Sequence, residues 1–193
     1  MSRIDNELFY KNALKKYGTT PRGLNWHSNA HQQIRFDVIT SFLPKSGFSV
    51  VDVGCGFGDF YFFLRNNQVD FTSYTGVDVM KEMCEITQKR TSCEVLHVDV
   101  LKAKLPKADF YVCSGALNIL SEFETFLFLK NCFSSSKKGF IFNALYGSKK
   151  SDVYNYLTKQ TITQFANDLG VSRVEFRDDY MQNDITVGFF KLL

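Results

Sequence analysis

A glycine-rich loop that directly follows an apolar run is the part of the sequence best suited to chemistry. The segment VVDVGCGFGDF covers residues 50–60 and contains Gly54, Gly56 and Gly58. Glycine allows sharp backbone turns, and its missing side chain lets a ligand lie against the main chain. In open α/β sheets, ligands bind outside the carboxyl ends of the strands, where such a loop lies. The sequence therefore predicts a cofactor site at this loop.

The type of cofactor depends on the glycine spacing and on one acid. A dinucleotide site favours G-x-G-x-x-G, but the glycines here run as G-x-G-x-G, and Asp59 takes the third glycine position of the dinucleotide pattern. Asp52 stands two residues before Gly54. A carboxylate there suits a ligand with an ammonium group and disfavours a pyrophosphate. S-adenosylmethionine (SAM) carries an α-ammonium group, so the loop favours SAM. The alternative role of Asp52 is to cap the helix after the loop.

Alternating strand and helix patterns surround this loop. Predicted strands occupy residues 48–53, a segment that ends at Asp78, and residues 93–99, 109–114 and 139–145. Predicted helices occupy residues 3–16, 30–43, 59–66 and 80–90, and two more begin at a Ser121–Glu124 capping box and after Thr158. This alternation is typical of a mostly parallel sheet with helices on both faces.

The C-terminal part departs from this alternation. Residues 171–177 and 185–192 both have strand patterns, and the segment DDYMQN between them is too short for a parallel crossover, which needs about a dozen residues. We therefore predict an antiparallel hairpin. The predicted fold class is α/β, a doubly wound, Rossmann-like sheet of seven strands with N-terminal helices covering the cofactor site. We expect a single domain over residues 1–193, with a helical cap at 1–44 and a SAM-binding core at 45–193.

In this order, the motifs resemble those of the class I SAM-dependent methyltransferases. The segment from Asp52 to Gly58 is similar to the first motif of that family, GVDV with Asp78 to the second, and HVDVL with Asp99 to the third. DFYVCSGALNI is similar to the segment after the fourth strand, which lines the sulfonium and the acceptor. The resemblance implies that Asp78 binds both ribose hydroxyls, that Asp99 takes the adenine amino group, and that the amide of Val100 meets the ring.

The N-terminal segment NWHSNAHQQIRFDVI is similar to the start of a bacterial subgroup of this family, and the tail RDDYMQNDITV is similar to its end. The subgroup has a W…Q-x-x-R-F pattern, which Trp26, Gln32, Arg35 and Phe36 match. His31, Gln32 and Arg35 share one helix face. In one interpretation this face covers the SAM pocket and Arg35 pairs with the methionyl carboxylate. In the other it is a solvated polar face.

The predicted cofactor-binding residues come from the N-terminal segment, the glycine loop and the strand ends. They are Trp26, Gln32, Arg35, Asp52, Gly54, Cys55, Gly56, Asp78, Val79, Asp99, Val100 and Ser114. Asp78 has an alternative role as a strand-end turn residue, and His97 or Asp99 could instead satisfy backbone amides. Cys55 is expected to be a small buried residue whose backbone matters.

The acceptor side carries no diagnostic motif. The catalytic candidates are Asn118, Asn143, Tyr146 and Tyr180, with Asn183 and Asp184 beside them, since all lie near the predicted carboxyl end of the sheet. His27 and His31 are either acceptor-side bases or structural histidines. No N/D-P-P-Y/F motif follows the fourth strand, which disfavours methylation of DNA adenine or protein glutamine. A small molecule is the preferred acceptor, because no added recognition domain is visible in the sequence.

Composition and charge restrict the other function classes. The chain has 193 residues, 45% of them hydrophobic and 22% charged, which is typical of a globular domain. No apolar run approaches the ~20 residues that span a bilayer, and the N-terminus lacks a signal-peptide centre, so we expect a cytoplasmic location. The five cysteines form no C-x-x-C pair, no metal site is predicted, and a net charge of +3 disfavours a nucleic-acid partner. An NAD-dependent oxidoreductase and a non-catalytic SAM-binding module remain as alternatives.

Overall fold

The structure, a computed structural model, describes residues 6–24 and 29–192. Within these ranges two short 3₁₀ helices lie at Pro21–Leu24 and Ala116–Ile119. The α-helices are α1 (Asn6–Tyr17), α2 (Asn29–Ser41), α3 (Asp59–Asn66), α4 (Lys81–Thr91), α5 (Glu122–Ser135) and α6 (Lys159–Asp168). Ser121 and Thr158 cap α5 and α6 as predicted, and Ser121 forms a reciprocal capping box with Glu124.

The strands follow the predicted alternation with one addition. They are β1 (Ser46–Val53), β2 (Asp70–Asp78), β3 (Glu94–His97), β4 (Ala108–Cys113), β5 (Ser136–Tyr146), β6 (Tyr156–Leu157), β7 (Arg173–Arg177) and β8 (Asp184–Phe190). The sheet therefore has eight strands in the described part of the chain, and the predicted number of seven was wrong. The missed strand, β6, has only two residues, which is too short to produce an apolar period.

The strands are ordered β3-β2-β1-β4-β5-β8-β7, with the short β6 beside the end of β5. The pairs from β3 to β5 are parallel, whereas β8 is antiparallel to both β5 and β7. The predicted C-terminal hairpin is confirmed. Because β1 lies at the centre with β2 and β4 on either side, its carboxyl end meets theirs at one edge of the sheet.

Both faces of the sheet are buried, which explains the continuous apolar run of β1. Val51 and Val53 point into a core with α5 and α6, whereas Phe48 and Val50 point into a core with α2 and α3. The second face also carries Asp52, which is next in this alternation. Among the described residues, no helix combines the length and the apolar character needed to cross a bilayer.

Candidate functional site

The glycine loop between β1 and α3 is held tightly against β2. The amides of Gly54 and Cys55 both donate to the carbonyl of Val77, at 2.8 and 3.1 Å. Gly54 has a φ of 74°, and a Cβ added to it would lie 2.7 Å from the Cβ of Ala116. Only glycine fits this turn, since both the left-handed backbone and the close approach exclude a side chain. The buried Cys55 contributes its backbone here, while its Sγ lies 4.0 Å from the hydroxyl of Thr87.

Asp78 ends β2 and fastens the loop from the other side. Its Oδ2 accepts from the amide of Gly56 at 3.0 Å, and its Oδ1 accepts from the amide of Met80 at 2.9 Å. Burial raises the pKa of this carboxyl, while the backbone donors at Met80, Gly56 and Val79 act in the opposite direction. The residue is thus a strand-end turn residue that also positions the loop. Binding of the ribose hydroxyls by the same carboxylate stays a prediction.

Asp52 is buried beneath the loop and does not cap α3. The N-cap of α3 is Gly58, and the Oδ2 of Asp52 instead accepts from the hydroxyl of Tyr74 at 2.6 Å. Burial raises the pKa of Asp52 to about 7; the hydroxyl of Tyr74 lowers it, and the negative charges of Asp78 and Asp59 add to the increase. A cationic group placed beside Asp52 would favour its ionised form.

The predicted adenine side lies at the exposed end of β3. Asp99 accepts from the amide of Leu101 at 2.9 Å and pairs with Lys102 at 3.1 Å. Its carboxylate therefore caps the turn after β3, as the alternative interpretation held. Val100 is buried in the core, and the exposed Val79 has its carbonyl 3.0 Å from the Nε2 of His97.

Helix α1 and the first 3₁₀ helix cover the loop. Tyr10 and Leu24 pack against a buried cluster of Phe57, Met80 and Met83, which are residues that follow the glycines and Asp78. A Cβ added to Gly56 would lie 2.8 Å from a methyl group of Leu24. Burial raises the pKa of the Tyr10 phenol, and Asp78, Cys113 and Tyr154 raise it further, so this ring lies close to the ends of β2 and β4. Sequence reasoning missed Tyr10, because one aromatic residue in an amphipathic helix carries no specific signal.

The polar residues of α2 contact protein groups on two sides. The buried Gln32 donates from its Nε2 to Oδ2 of Asp59 at 3.2 Å, and Arg90 pairs with the other oxygen of Asp59 at 2.9 Å. His31, on the same helix, is exposed. Trp26 and His27 lie outside the described residues. The predicted helix face is therefore largely buried against α3 and the sheet, and the solvated alternative fits only His31.

Arg35 forms a buried ion pair with Asp184 of β8. The Nε and Nη2 of Arg35 both donate to Oδ2 of Asp184, the former at 2.7 Å, while the hydroxyl of Tyr180 donates to Oδ1 at 2.5 Å. Burial raises the pKa of Asp184, and the charge of Arg35 acts against that increase. The guanidinium of Arg35 thus pairs with the carboxylate of Asp184, whereas the sequence analysis paired it with the methionyl carboxylate of SAM. The contact with SAM stays a prediction.

The polar side chains continue from this ion pair to the end of β4. Thr186 donates to the oxygen of Tyr180 at 2.8 Å and accepts from Nδ2 of Asn143. The Oδ1 of Asn143 accepts from the hydroxyl of Ser114 at 2.9 Å. Asn143 and Thr186 are completely buried, whereas Ser114 is partly exposed. Sequence reasoning placed Asn143 and Tyr180 together on the acceptor side and Ser114 in the cofactor site. It missed Thr186, which is indistinguishable in sequence from any threonine in a strand.

The other acceptor-side candidates have mainly backbone partners. The Oδ1 of Asn118 accepts from the amide of Leu145 at 3.2 Å. Tyr146 donates its amide to the carbonyl of Asn183 at 2.9 Å, and its ring lies 5.8 Å from the Nζ of Lys159. These contacts order the segments above β5 and give no direct sign of catalysis. Of the four catalytic candidates, Asn143 and the partly exposed Tyr180 take part in the hydrogen bonds that run from Arg35 to Ser114, whereas Asn118 and Tyr146 contact other groups.

A central segment that makes up slightly less than half of the chain matches a known family. Residues 50–139, which run from β1 into β5, match the family model described as a methyltransferase domain. Carboxy-S-adenosyl-L-methionine synthase from Campylobacter jejuni subsp. doylei is 30% identical over 77 residues, which are 40% of this chain and 32% of that protein. The chain thus matches about a third of the length of this curated relative.

Solved structures with low sequence identity share the whole fold. Magnesium protoporphyrin IX methyltransferase from Synechocystis PCC 6803, solved with bound SAM, is 14% identical, with a TM-score of 0.73 and 100% of both chains covered. A SAM-dependent methyltransferase from Leishmania major is 17% identical, with a TM-score of 0.74, covering 95% of this chain and 83% of that one. At these identities the likeness establishes the fold, and the order of glycine loop and strand-end acids agrees with it.

Proposed function

We propose that this chain transfers the methyl group of SAM to a small-molecule acceptor in the cytoplasm. Its fold and the methyltransferase domain that residues 50–139 match are those of a class I SAM-dependent methyltransferase. The observation that carries this proposal is the joint between the glycine loop and β2, where Asp78 holds the amides of Gly56 and Met80. Two carboxylates, Asp52 and Asp78, thus lie beside a loop in which Gly54, Gly56 and Gly58 have no side chains.

The donor set of this joint fits SAM better than a dinucleotide. SAM offers an ammonium group and two ribose hydroxyls, all of which are hydrogen-bond donors, and the two buried carboxylates are acceptors. A pyrophosphate would bring negative charge towards the same carboxylates, which is unfavourable in a buried site. Asp52 with a pKa of about 7 is well suited to this task, because a neighbouring ammonium group would draw it into its ionised form.

SAM supplies a methyl group that its sulfonium has already activated, so the chain must mainly align the acceptor and exclude water. Helix α1 and the first 3₁₀ helix, which pack over Phe57, Met80 and Met83, supply the cover. Ser114 and Asn143, at the ends of β4 and β5, supply polar groups on the acceptor side. The small-molecule class is supported by one structural neighbour, a methyltransferase of magnesium protoporphyrin IX.

Calorimetric titration of the purified protein tests the proposal. SAM and S-adenosylhomocysteine should both bind, and NAD should not. Asp78→Ala should bind SAM less tightly, whereas Asp168→Ala, a matched change of an exposed acid at the end of α6, should bind SAM as the wild type does. Preferential binding of NAD would contradict the proposal. SAM binding without transfer to any small nucleophile would instead support the non-catalytic SAM-binding module.

A further inference from the structure

The polar side chains that run from Arg35 to Ser114 form one hydrogen-bond network, in which Arg35, Asp184, Thr186 and Asn143 are buried and Tyr180 and Ser114 are partly exposed. Burial of polar groups is costly unless each has a partner, so the pairing of these side chains restricts the orientations that each can adopt. Among the described residues, the one buried side-chain oxygen or nitrogen without a hydrogen-bond partner is Oγ1 of Thr40, which does not belong to this network. The hydrogen-bond network therefore has a defined arrangement of hydrogens.

The charge on Asp184 fixes the direction of donation at one end. Its carboxylate is paired with a guanidinium and can only accept, so Tyr180 directs its single hydrogen to Asp184. The oxygen of Tyr180 then has lone pairs alone to offer. Thr186, at 2.8 Å, must supply the hydrogen between these two oxygens.

The same reasoning fixes the direction of donation at the Ser114 end of the network. Because Thr186 has used its hydrogen, its oxygen accepts from Nδ2 of Asn143, and Oδ1 of Asn143 is left to accept from Ser114 at 2.9 Å. The opposite orientation of the amide would take the hydrogen of Thr186 and leave its oxygen facing that of Tyr180 with no hydrogen between them. The hydrogen of Ser114 therefore points inward, and its Oγ presents lone pairs outward.

Ser114 is the member of the hydrogen-bond network that reaches the predicted cofactor site. It follows β4 directly, two residues beyond Val112, which pairs with Asp52 of β1. Ser114 is therefore level with Gly54, beside the glycine loop. It is partly exposed, and Asn143 is its side-chain partner within residues 6–24 and 29–192.

From this geometry we infer that Ser114 Oγ is a fixed hydrogen-bond acceptor that selects a methyl acceptor with a neutral O–H or N–H nucleophile. This inference rests on the proposed function and deepens it. A carboxylate or thiolate nucleophile has no hydrogen to donate and would meet the lone pairs of Ser114 unfavourably. Thr186 and Asn143 are positioning residues, since they act on the nucleophile only through Ser114.

The transfer balances without a further reactant. The bond between sulfur and the methyl carbon breaks with its electron pair left on sulfur, and the new bond forms from nitrogen or oxygen to that carbon. The hydrogen of the nucleophile is then lost as a proton to water. Ser114 accepts the hydrogen of the nucleophile only to orient it; it is not the base, because a neutral hydroxyl that keeps its own hydrogen, here donated to Oδ1 of Asn143, is too weakly basic.

Four probes with the same benzene ring test the inference, namely phenol, aniline, benzoate and thiophenol. Each is incubated with the protein and SAM that carries tritium in its methyl group, and the methylated product is counted. Phenol or aniline should be labelled, and benzoate and thiophenol should not. Ser114→Ala should lower the labelling about tenfold or more, which corresponds to the loss of one net hydrogen bond in the transition state, with S-adenosylhomocysteine affinity unchanged.

A second variant reverses the direction of hydrogen-bond donation at Asn143 and leaves Ser114 in place. Nδ2 of Asn143 has two acceptors, the hydroxyl oxygens of Thr186 and Tyr180. Thr186→Val combined with Tyr180→Phe removes both, so the amide can turn, donate to Ser114 and release the hydrogen of Ser114 outward. The ratio of benzoate to phenol labelling should then rise, a change that a merely structural role would not produce. Thr40→Val makes the same replacement at a buried hydroxyl outside the network and should leave all four rates unchanged.

Several results would overturn the inference. These are preferred labelling of benzoate or thiophenol by the wild type, no labelling of any probe, and an unchanged rate in Ser114→Ala. Weaker S-adenosylhomocysteine binding by Ser114→Ala would also overturn it, since Ser114 would then belong to the cofactor site. Failure of the wild type to bind SAM is a separate outcome, and it contradicts the proposed function itself.

Discussion

Asp52→Asn should make the free energy of unfolding less dependent on pH. Burial raises the pKa of Asp52 to about 7, against the opposing effect of the Tyr74 hydroxyl. The folded protein therefore holds a proton that the unfolded chain releases near pH 4. Stability from this group is fully present below the unfolded pKa and is lost as the pH rises to the folded pKa. Asparagine is neutral throughout and can still accept from Tyr74, so the variant lacks this loss.

The size of the effect follows from the two pKa values. A carboxyl with a pKa of 3.8 in the unfolded chain and about 7 in the folded protein corresponds to about 4 kcal/mol over the whole range. About 2–3 kcal/mol of this falls between pH 5 and pH 8. Burial also raises the pKa values of Asp78 and Asp184. Because these groups are present in both proteins, their own contributions largely cancel in the difference between variant and wild type, which then reports Asp52 and its coupling to Asp78.

Urea denaturation of both proteins at pH 5 and pH 8 measures this difference. The stability of Asp52→Asn relative to the wild type should rise by about 2–3 kcal/mol from the lower to the higher pH. Tyr74→Phe removes the bond that lowers the pKa of Asp52, so its pH-dependent loss should continue to a higher pH than in the wild type. A variant-to-wild-type difference that is the same at both pH values would refute the assignment of a raised pKa to Asp52.

Three further changes test the cofactor site and its loop. Asp78→Ala should weaken SAM binding by roughly 2–4 kcal/mol through the loss of two charge-assisted bonds; unchanged calorimetric affinity in a folded variant would place the ribose elsewhere. Arg35→Lys should bind SAM less tightly and adenosine as tightly as the wild type, because an ammonium cannot hold a carboxylate with two parallel bonds. Equal losses for both ligands would assign Arg35 to Asp184 alone. Gly54→Ala should lower the free energy of unfolding by about 1–3 kcal/mol, since its φ is 74° and its Cβ would lie 2.7 Å from that of Ala116; an unchanged urea midpoint would show that the loop can relax.

The elements around the glycine loop were predictable because local signals agreed with the fold. The helix predicted at 59–66 is α3 (Asp59–Asn66), and the capping residues Ser121 and Thr158 begin the predicted helices. The length of DDYMQN was sufficient to identify the antiparallel hairpin, since chain length limits which crossovers are possible. Periodicity, caps and loop length are all local properties, and the sequence displays them directly.

The contacts that complete the site were not predictable in the same way. Asp184 is 149 residues from Arg35, and no local pattern indicates which acid meets which base over that separation. Tyr74 contacts Asp52 because β2 lies beside β1, and its hydroxyl is ordinary in sequence. Tyr10 reaches the ends of β2 and β4 only because α1 packs over them. Each of these depends on the packing of separate elements, which follows from the finished fold.

The ion pair between α2 and β8 also sets an order of events during synthesis. Arg35 leaves the ribosome 149 residues before Asp184, which at typical elongation rates is roughly 7–30 s. During this interval β5 has no antiparallel neighbour, and α2 can pack on β1 and α3 without its partner in β8. Closing so long a loop is entropically costly until the strands between are in place. The hairpin can therefore dock on β5 only after the elements that precede it have been synthesised, so the pairing of Arg35 with Asp184 has to wait for β8.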